Sequence, residues 1–345
     1  MGFLRRKTVA ALVAGFSLLI AGCTASTGGE PASKPADKAG GGSPVTVGMT
    51  YIPNVQFAPA YVADKEGLFT AEGVAAKLRH HGTDEGLFTA LLAGEEDVVI
   101  ASADEMLQAR AQGMDLISVG QYYQKYPTKI MVKDDSAIRS VADLKGKKVG
   151  LPGEFGSNWF GLLAALKDSG MTRADIDVQS IGFTQLAALK SDKVDAVVGF
   201  SNNDGVQFEL ADVPVREIDL AKTGEPPLVG MNIVTSSQFA KNHADALKHT
   251  LQALSKGMQV CVDDPARAVD ITKSYDQNLT SDEALASAKA TLEATNKLFA
   301  PAGKVDFTQD VDQWKRMNDF LSQIEGVLGS KVDVTEAVTN DYLEQ

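Results

Sequence analysis

The chain alternates short apolar runs with amphipathic helical stretches, twice in succession, and this alternation limits its fold more than any other feature. Strands and helices that alternate in this way form parallel-type sheets covered by helices on both faces. Predicted strands are Val45–Thr50, Ala75–His80, Val98–Ala101, Leu116–Tyr122 and Lys129–Val132 in the first series, then Lys148–Leu151, Val178–Ile181, Ala196–Phe200 and Val215–Ile218 in the second. The helices predicted between them are Pro59–Glu66, Glu85–Ala93, Ser102–Gln112, Ser157–Ser169, Thr184–Ser191 and Asn203–Leu210.

The last third of the chain changes character, because strands nearly stop after Leu228–Val234. Four predicted helices follow, separated by prolines: Phe239–Val262, Pro265–Tyr275, Asp282–Phe299 and Asp312–Ile324. A chain of 345 residues with 44% hydrophobic residues can fill two lobes rather than one. We therefore expect an α/β fold of two lobes with a helical C-terminal region that wraps around the first lobe.

The first residues are typical of a secretory signal peptide. Basic residues 5–7 precede the apolar run Thr8–Ala21, which is shorter than the roughly 20 residues that span a bilayer. A membrane anchor helix is the alternative. Residues 19–23 resemble a bacterial lipobox, which implies cleavage after residue 22 and a lipid on Cys23. Residues 25–44 contain no large apolar side chain, so we expect residues 23–44 to form a disordered tether.

Charge and cysteine content exclude several classes of protein. The formal net charge of −12 argues against nucleic acid as a partner and against a cationic grip on anionic lipid. Attachment to the outer face of the cell membrane would then depend on the lipid at Cys23, and we expect a monomer. Only one other cysteine, Cys261, is present, and its helical surroundings predict a buried, unreactive thiol.

Polar and aromatic residues follow many of the predicted strands, where ligands bind in open α/β sheets. The loop 50–59 follows the first strand, and two prolines make it rigid, so a well-packed turn is the alternative to a binding loop. The candidate ligand-binding residues are Tyr51, Asn54, Gln56, Phe57, His81, Ser102, Asp104, Tyr122, Tyr123, Gly156, Ser157, Trp159, Phe200, Asn202, Asn203 and Asn232.

Local patterns at these positions also have plain structural explanations. Ser102 with Glu105 has the spacing of a capping box, although free amide hydrogens there could also bind a ligand. Ser157 can cap the next helix, and Trp159 either stacks on a ligand or is buried. Strand alternation predicts that Tyr122 and Tyr123 point to opposite sides.

The chemistry of these loops favours a flat, largely neutral ligand. Five of them, 51–57, 102–105, 122–124, 155–159 and 200–203, contain no Arg or Lys, which an oxyanion site would want. Aromatic faces with amides suit a heterocycle. No catalytic motif is recognisable, and His80 with His81 lacks the spacing of metal ligands, so we expect no enzyme, no cofactor and no metal.

Several segments occur in the order of a known family of solute-binding proteins. The runs Tyr51–Phe69, Gly86–Ser102, Val141–Leu151 and Ile181–Phe200 resemble the nitrate, sulfonate and thiamine-pyrimidine group. This resemblance implies a two-lobed, type II periplasmic-binding fold that closes on a small molecule. It also implies partners, the permease and ATPase of an ABC importer. We assign residues 45–133 to lobe 1, 134–230 to lobe 2, and 231–345 to a return strand of lobe 1 with the C-terminal helices.

The opening Tyr51–Pro59 and the pair Asn202-Asn203 most resemble members that bind riboflavin or a thiamine pyrimidine precursor. The chain departs from the group at Ala60, where an aromatic residue is common, and at 199–201. A binder of a small oxyanion or sulfonate is the alternative, as is an enzyme of thiamine-pyrimidine synthesis. The resemblance implies that such an enzyme needs a cofactor-bearing lysine and a cysteine cluster, and this chain has two cysteines. A surface adhesin or sensor also remains open.

Overall fold

Two five-stranded sheets organise the protein, in a computed structural model that describes residues 42–81, 85–222 and 225–344. The signal peptide, Cys23 and most of the tether lie outside these residues. The strands are β1 Ser43–Met49, β2 Val74–His80, β3 Val98–Ser102, β4 Ile117–Gln121, β5 Thr128–Lys133, β6 Lys148–Leu151, β7 Asp177–Ser180, β8 Ala196–Phe200, β9 Val215–Ile218 and β10 Met231–Thr235.

Both sheets are mixed rather than parallel. The first has the order β2-β1-β3-β10-β4 and the second β7-β6-β8-β5-β9. Parallel pairing is confirmed for β1, β2 and β3 and for β6, β7 and β8. The prediction is wrong for β10 and β5, which run antiparallel to both of their neighbours. The chain reaches each of these strands from the other lobe. Each strand therefore begins at the edge of the sheet where its neighbours end, and runs in the opposite direction to them.

The first chain crossing between the lobes comes earlier than the predicted boundary at residue 133. Strand β5 pairs with β8 in the second sheet, with Thr128 opposite Phe200, so the crossing occupies residues 122–127. The return crossing lies between Ile218 and Met231. The prediction missed the first crossing because β5 looks like one more apolar strand of the first series.

The helices cover the sheets and fill the C-terminal third. They are α1 Ala58–Lys65, α2 Leu68–Ala71, α3 Thr89–Leu92, α4 Ala103–Ala111, α5 Gly156–Asp168, α6 Gln185–Lys190, α7 Val206–Leu210, α8 Ser237–Asn242, α9 Ala244–Asp263, α10 Pro265–Thr272, α11 Asp282–Phe299, α12 Val311–Leu321 and α13 Val334–Ala337. The predicted helix 239–262 is divided at His243, whose φ of −131° is not helical. The predicted helix 85–93 shrinks to α3.

Close packing of α9 on α1 fixes the C-terminal region against the first lobe. A Cβ at Gly257 would lie 2.2 Å from the Pro59 carbonyl oxygen, so only glycine allows this approach. Cys261, on the same helix, is fully buried, as expected, and burial raises the pKa of its thiol. Among the described residues, no helix is long and apolar enough to cross a membrane.

Candidate functional site

The two lobes face each other with the carboxyl ends of their strands. Tyr51, which follows β1, contacts Phe183, which follows β7; their ring centroids are 6.1 Å apart. Ser157, after β6, hydrogen-bonds Asp104, after β3. Strand ends of opposite lobes thus form the walls of a cleft, which is where ligands bind in sheets of this kind.

A buried polar contact joins the lobes at the floor of this cleft. The Ser157 hydroxyl of lobe 2 donates to Asp104 Oδ2 of lobe 1 at 3.0 Å. The Tyr126 hydroxyl, from the first crossing, lies 3.0 Å from the same oxygen and 2.7 Å from the Ser157 carbonyl oxygen. All three residues are buried. We call Asp104, Tyr126 and Ser157 the interlobe latch.

Burial and hydrogen bonding act on the Asp104 carboxyl in opposite directions. The Tyr126 and Ser157 hydroxyls donate to it, which stabilises the charged form, whereas burial favours the neutral form. Burial raises the pKa of Asp104 and of its neighbour Glu105, and proximity of the two carboxyls raises the pKa of Glu105 further.

Both predicted helix caps are wrong, because these hydroxyls are used elsewhere. Neither α4 nor α5 has a side-chain cap hydrogen bond. The Ser102 hydroxyl donates to the Glu105 carboxylate instead of capping α4, and Ser157 donates to Asp104 across the cleft. Gly156 has a φ of +64°, which favours glycine at the start of α5, while a Cβ there would meet the Glu105 oxygens only at an ordinary contact distance of 3.6 Å.

The first binding loop is rigid, and only part of it is accessible. Asn54 Oδ1 accepts from the Gln56 amide at 3.0 Å and starts a 3-10 turn. Asn54 thus has the role of a residue in a well-packed turn, the alternative to a binding loop. Phe57 is buried in the core, and Gln56 is half-buried. The Tyr122 hydroxyl donates to the Gln56 carbonyl at 3.1 Å. Tyr51 keeps 38% of its surface exposed and is the residue of this loop best placed to meet a ligand.

The two histidines at the end of β2 are structural in different ways. His80 Nδ1 donates to the Tyr51 carbonyl at 2.9 Å, and its Nε2 accepts from the Tyr61 hydroxyl at 2.9 Å. Desolvation lowers the pKa of His80, in keeping with this neutral form. His81, a candidate ligand-binding residue, is only 2% exposed. Its Nε2 donates to the buried Glu96 at 2.9 Å, while its Nδ1 has no partner among the residues that the structure describes.

Tyr122 and Tyr123 do not point to opposite sides. Their rings stack with centroids 5.7 Å apart, and both are buried against Phe299. Strand β4 ends at Gln121, so the tyrosines belong to the crossing and strand alternation does not apply to them. Both rings are therefore packed within the first crossing between the lobes.

Two further candidates belong to the core. Trp159 is 9% exposed and lies in the same apolar cluster as Phe160. Asn232 is fully buried, accepts from the Ser118 hydroxyl at 3.1 Å and donates to the Gly230 carbonyl at 2.8 Å. We therefore assign both to the packing of the lobes.

The turn that follows β8 connects lobe 2 to helix α11 of the C-terminal region. Asn202 is 2% exposed; its Nδ2 donates to Thr295 of α11 at 2.9 Å, and its Oδ1 has no partner. It lines a cavity of about 580 Å³ between this turn, α7 and α11. Phe200 and Asn203 remain half-buried and accessible. Burial raises the pKa of Asp204, which accepts from the Phe200 amide, to about 6.

One exposed aromatic ring beside these strand ends, Phe183, was missed from the sequence, whereas Phe155 lies in the predicted loop 155–159. Phe155 is 57% exposed and Phe183 is 69% exposed, and they follow β6 and β7. The signal for Phe183 was present, because it is an aromatic residue beside Gly182, two residues after the predicted strand Val178–Ile181. Within the described residues, no group of three or more His, Cys, Asp or Glu side chains could hold a metal ion.

Comparison with known proteins adds three findings. The family model described as NMT1/THI5 like matches residues 54–268. The riboflavin-binding protein RibY of Chloroflexus aurantiacus is 32% identical over 337 residues, which cover 94% of this chain and 95% of that protein. The 4-amino-5-hydroxymethyl-2-methylpyrimidine phosphate synthase of Uromyces fabae is 25% identical over 218 residues, which cover 60% of this chain and 63% of that protein.

Solved structures match at low identity. The periplasmic aliphatic sulphonate binding protein SsuA of Escherichia coli has a TM-score of 0.67 at 17% identity, covering 86% of this chain and 97% of that one. The alkanesulfonate-binding protein SsuA of Xanthomonas axonopodis pv. citri has a TM-score of 0.65 at 20% identity, covering 87% and 99%. These likenesses confirm the expected two-lobed periplasmic-binding fold.

Proposed function

Because the chain belongs to the NMT1/THI5-like family, we propose that it is the solute-binding lipoprotein of an ABC importer. It captures riboflavin or a thiamine-type pyrimidine between its two lobes and presents the closed complex to the permease. The relative named as a riboflavin-binding protein supports this ligand class, because the similarity extends over nearly the whole of both chains.

The observation that carries the proposal is the chemistry of the cleft. The five loops at the facing strand ends contain no Lys or Arg. The guanidinium at the end of β2, that of Arg79, is paired with Glu85 and Glu96 at 2.7 Å each. What these strand ends present instead is the exposed rings of Tyr51 and Phe183. Such walls favour a neutral ring over a sulfonate or nitrate, which would need a free cation or several amides.

Isothermal titration calorimetry tests the ligand class directly. We expect riboflavin or the pyrimidine precursor to bind, and taurine and nitrate to give no heat. A ligand of the native state should also raise the melting temperature as its concentration exceeds the dissociation constant. Heat with taurine or nitrate, and none with either heterocycle, would refute the assignment.

An enzyme of pyrimidine synthesis is the competing function, because several relatives carry that name. The two cysteines do not support it. Cys261 is buried, and Cys23 lies in the predicted lipobox. We propose that the protein binds its ligand without changing it. Chromatography of the ligand after long incubation with purified protein checks this, and any time-dependent product would contradict it.

A further inference from the structure

Phe183 has an exposure that the packing of lobe 2 does not explain. Its side chain is the most exposed of the large hydrophobic ones in the described chain, at 69%. Burial of a phenylalanine side chain stabilises a fold, so a position that leaves the ring in solvent forgoes that stabilisation. The turn that presents it is well defined: Gly182 has a φ of +61°, and the Thr184 hydroxyl donates to the Ile181 carbonyl at 2.7 Å.

Tyr51 faces it from the other lobe and is firmly held. Its carbonyl accepts from His80, whose other ring nitrogen accepts from the buried Tyr61. The two rings, one on each lobe, have centroids 6.1 Å apart and planes inclined by 53°. They therefore meet only when the lobes are close together.

The spacing of this pair is close to that of a ring sandwich. A flat ring stacked on both faces needs about 3.5 Å on each side, or about 7 Å between its two neighbours. The two inclined rings are now in direct contact, and their centroid distance is shorter than this by about 1 Å. Opening of the lobes with rotation of the rings to a parallel arrangement would admit one flat ring. We propose that Phe183 and Tyr51 form an aromatic clamp that holds the two faces of the ligand ring. This inference rests on the proposed function and names the lobe 2 residue that selects an aromatic ligand.

Phe155 supplies a matched control on the same lobe. It is also an exposed ring after a strand, but a Cβ added to Gly153 would lie 2.3 Å from its ring, so Phe155 folds back on its own loop. The ring pair across the cleft is Tyr51 with Phe183. Loss of Phe155 should thus leave ligand affinity nearly unchanged, although the exposed apolar surface removed is similar.

The experiment measures riboflavin affinity by calorimetry for the wild type and for Phe183→Ala, Phe183→Trp, Tyr51→Ala and Phe155→Ala. Stacking on one aromatic ring is worth about 1–3 kcal/mol per ring by alanine substitution, which is about 5- to 150-fold in affinity. We expect Phe183→Ala and Tyr51→Ala each to weaken binding within that range, and Phe183→Trp and Phe155→Ala to bind within about twofold of the wild type. Melting temperatures should stay close to that of the wild type, because Phe183 and Tyr51 are exposed.

The possible outcomes separate this inference from the proposed function. If wild-type protein does not bind riboflavin or the pyrimidine, the proposed function fails, and the clamp fails with it. If the wild type binds and Phe183→Ala binds equally well, the clamp is wrong while the function stands. Equal losses in Phe183→Ala and Phe155→Ala would also overturn the clamp, since they would indicate a general contribution of surface apolar area. Unchanged affinity with lost uptake would assign Phe183 to permease docking instead.

Discussion

Lobe closure should depend on pH through the interlobe latch, and Asp104→Asn tests this. The closed arrangement buries the Asp104 carboxyl, which raises its pKa, whereas an open cleft returns the carboxyl to water and to its ordinary pKa. Closing therefore takes up a proton. The contribution of Asp104 to closure is complete at low pH and is lost as pH rises from about 4 towards 7.

The magnitude follows from the size of the pKa difference. Each pKa unit between the closed and open arrangements changes the closure equilibrium tenfold, or about 1.4 kcal/mol. The amide introduced by Asp104→Asn would stay neutral at every pH, and its oxygen can still accept from the Ser157 and Tyr126 hydroxyls. The variant should then be as closed at pH 8 as at pH 5. The neighbouring Glu105, whose pKa is also raised, adds a second titration, which Glu105→Gln in the same chain removes.

Small-angle scattering of the ligand-free protein at pH 5 and pH 8 measures the effect. Wild-type protein should be more compact at pH 5, and the Asp104→Asn, Glu105→Gln double variant should give the same profile at both values. Tyr126→Phe provides a control, because it removes one hydroxyl that donates to Asp104 but leaves both carboxyls to titrate. A double variant whose compaction changes with pH as much as that of the wild type would refute the reasoning.

Two other predictions concern stability and anchoring. Gly48→Ala should lower the free energy of unfolding by about 1–3 kcal/mol, because its Cβ would lie 2.4 Å from the buried carboxylate of Glu96. Gly329→Ala, where nothing lies within 4 Å, is the control in the same urea titration, and equal effects would contradict the steric explanation. Cys23→Ala should prevent lipid attachment and release the protein from the membrane fraction. Unchanged lipid labelling would reject the lipobox.

The positions of the strands could be predicted from the sequence, but their directions could not. Apolar runs bounded by turn residues located all ten strands to within a few residues, because a buried strand needs that pattern wherever it lies. The direction of β5 and β10 depends on which lobe the chain arrives from, and nothing local to Thr128–Lys133 or Met231–Thr235 records that. The same limit misplaced the first crossing.

The candidate site was harder to predict, because its main contacts join residues that are far apart in the chain. Ser157 next to the start of a helix looks like a cap, and only its position opposite Asp104 gives it a different partner. Phe183 looks like an ordinary loop residue until Tyr51 is placed 6.1 Å from it. Local patterns therefore predict for each side chain a role within its own segment, such as a helix cap. That prediction fails where a residue of the other lobe becomes the contact partner instead. For this reason, sequence patterns assign a local role to the side chains that make the contacts between the lobes.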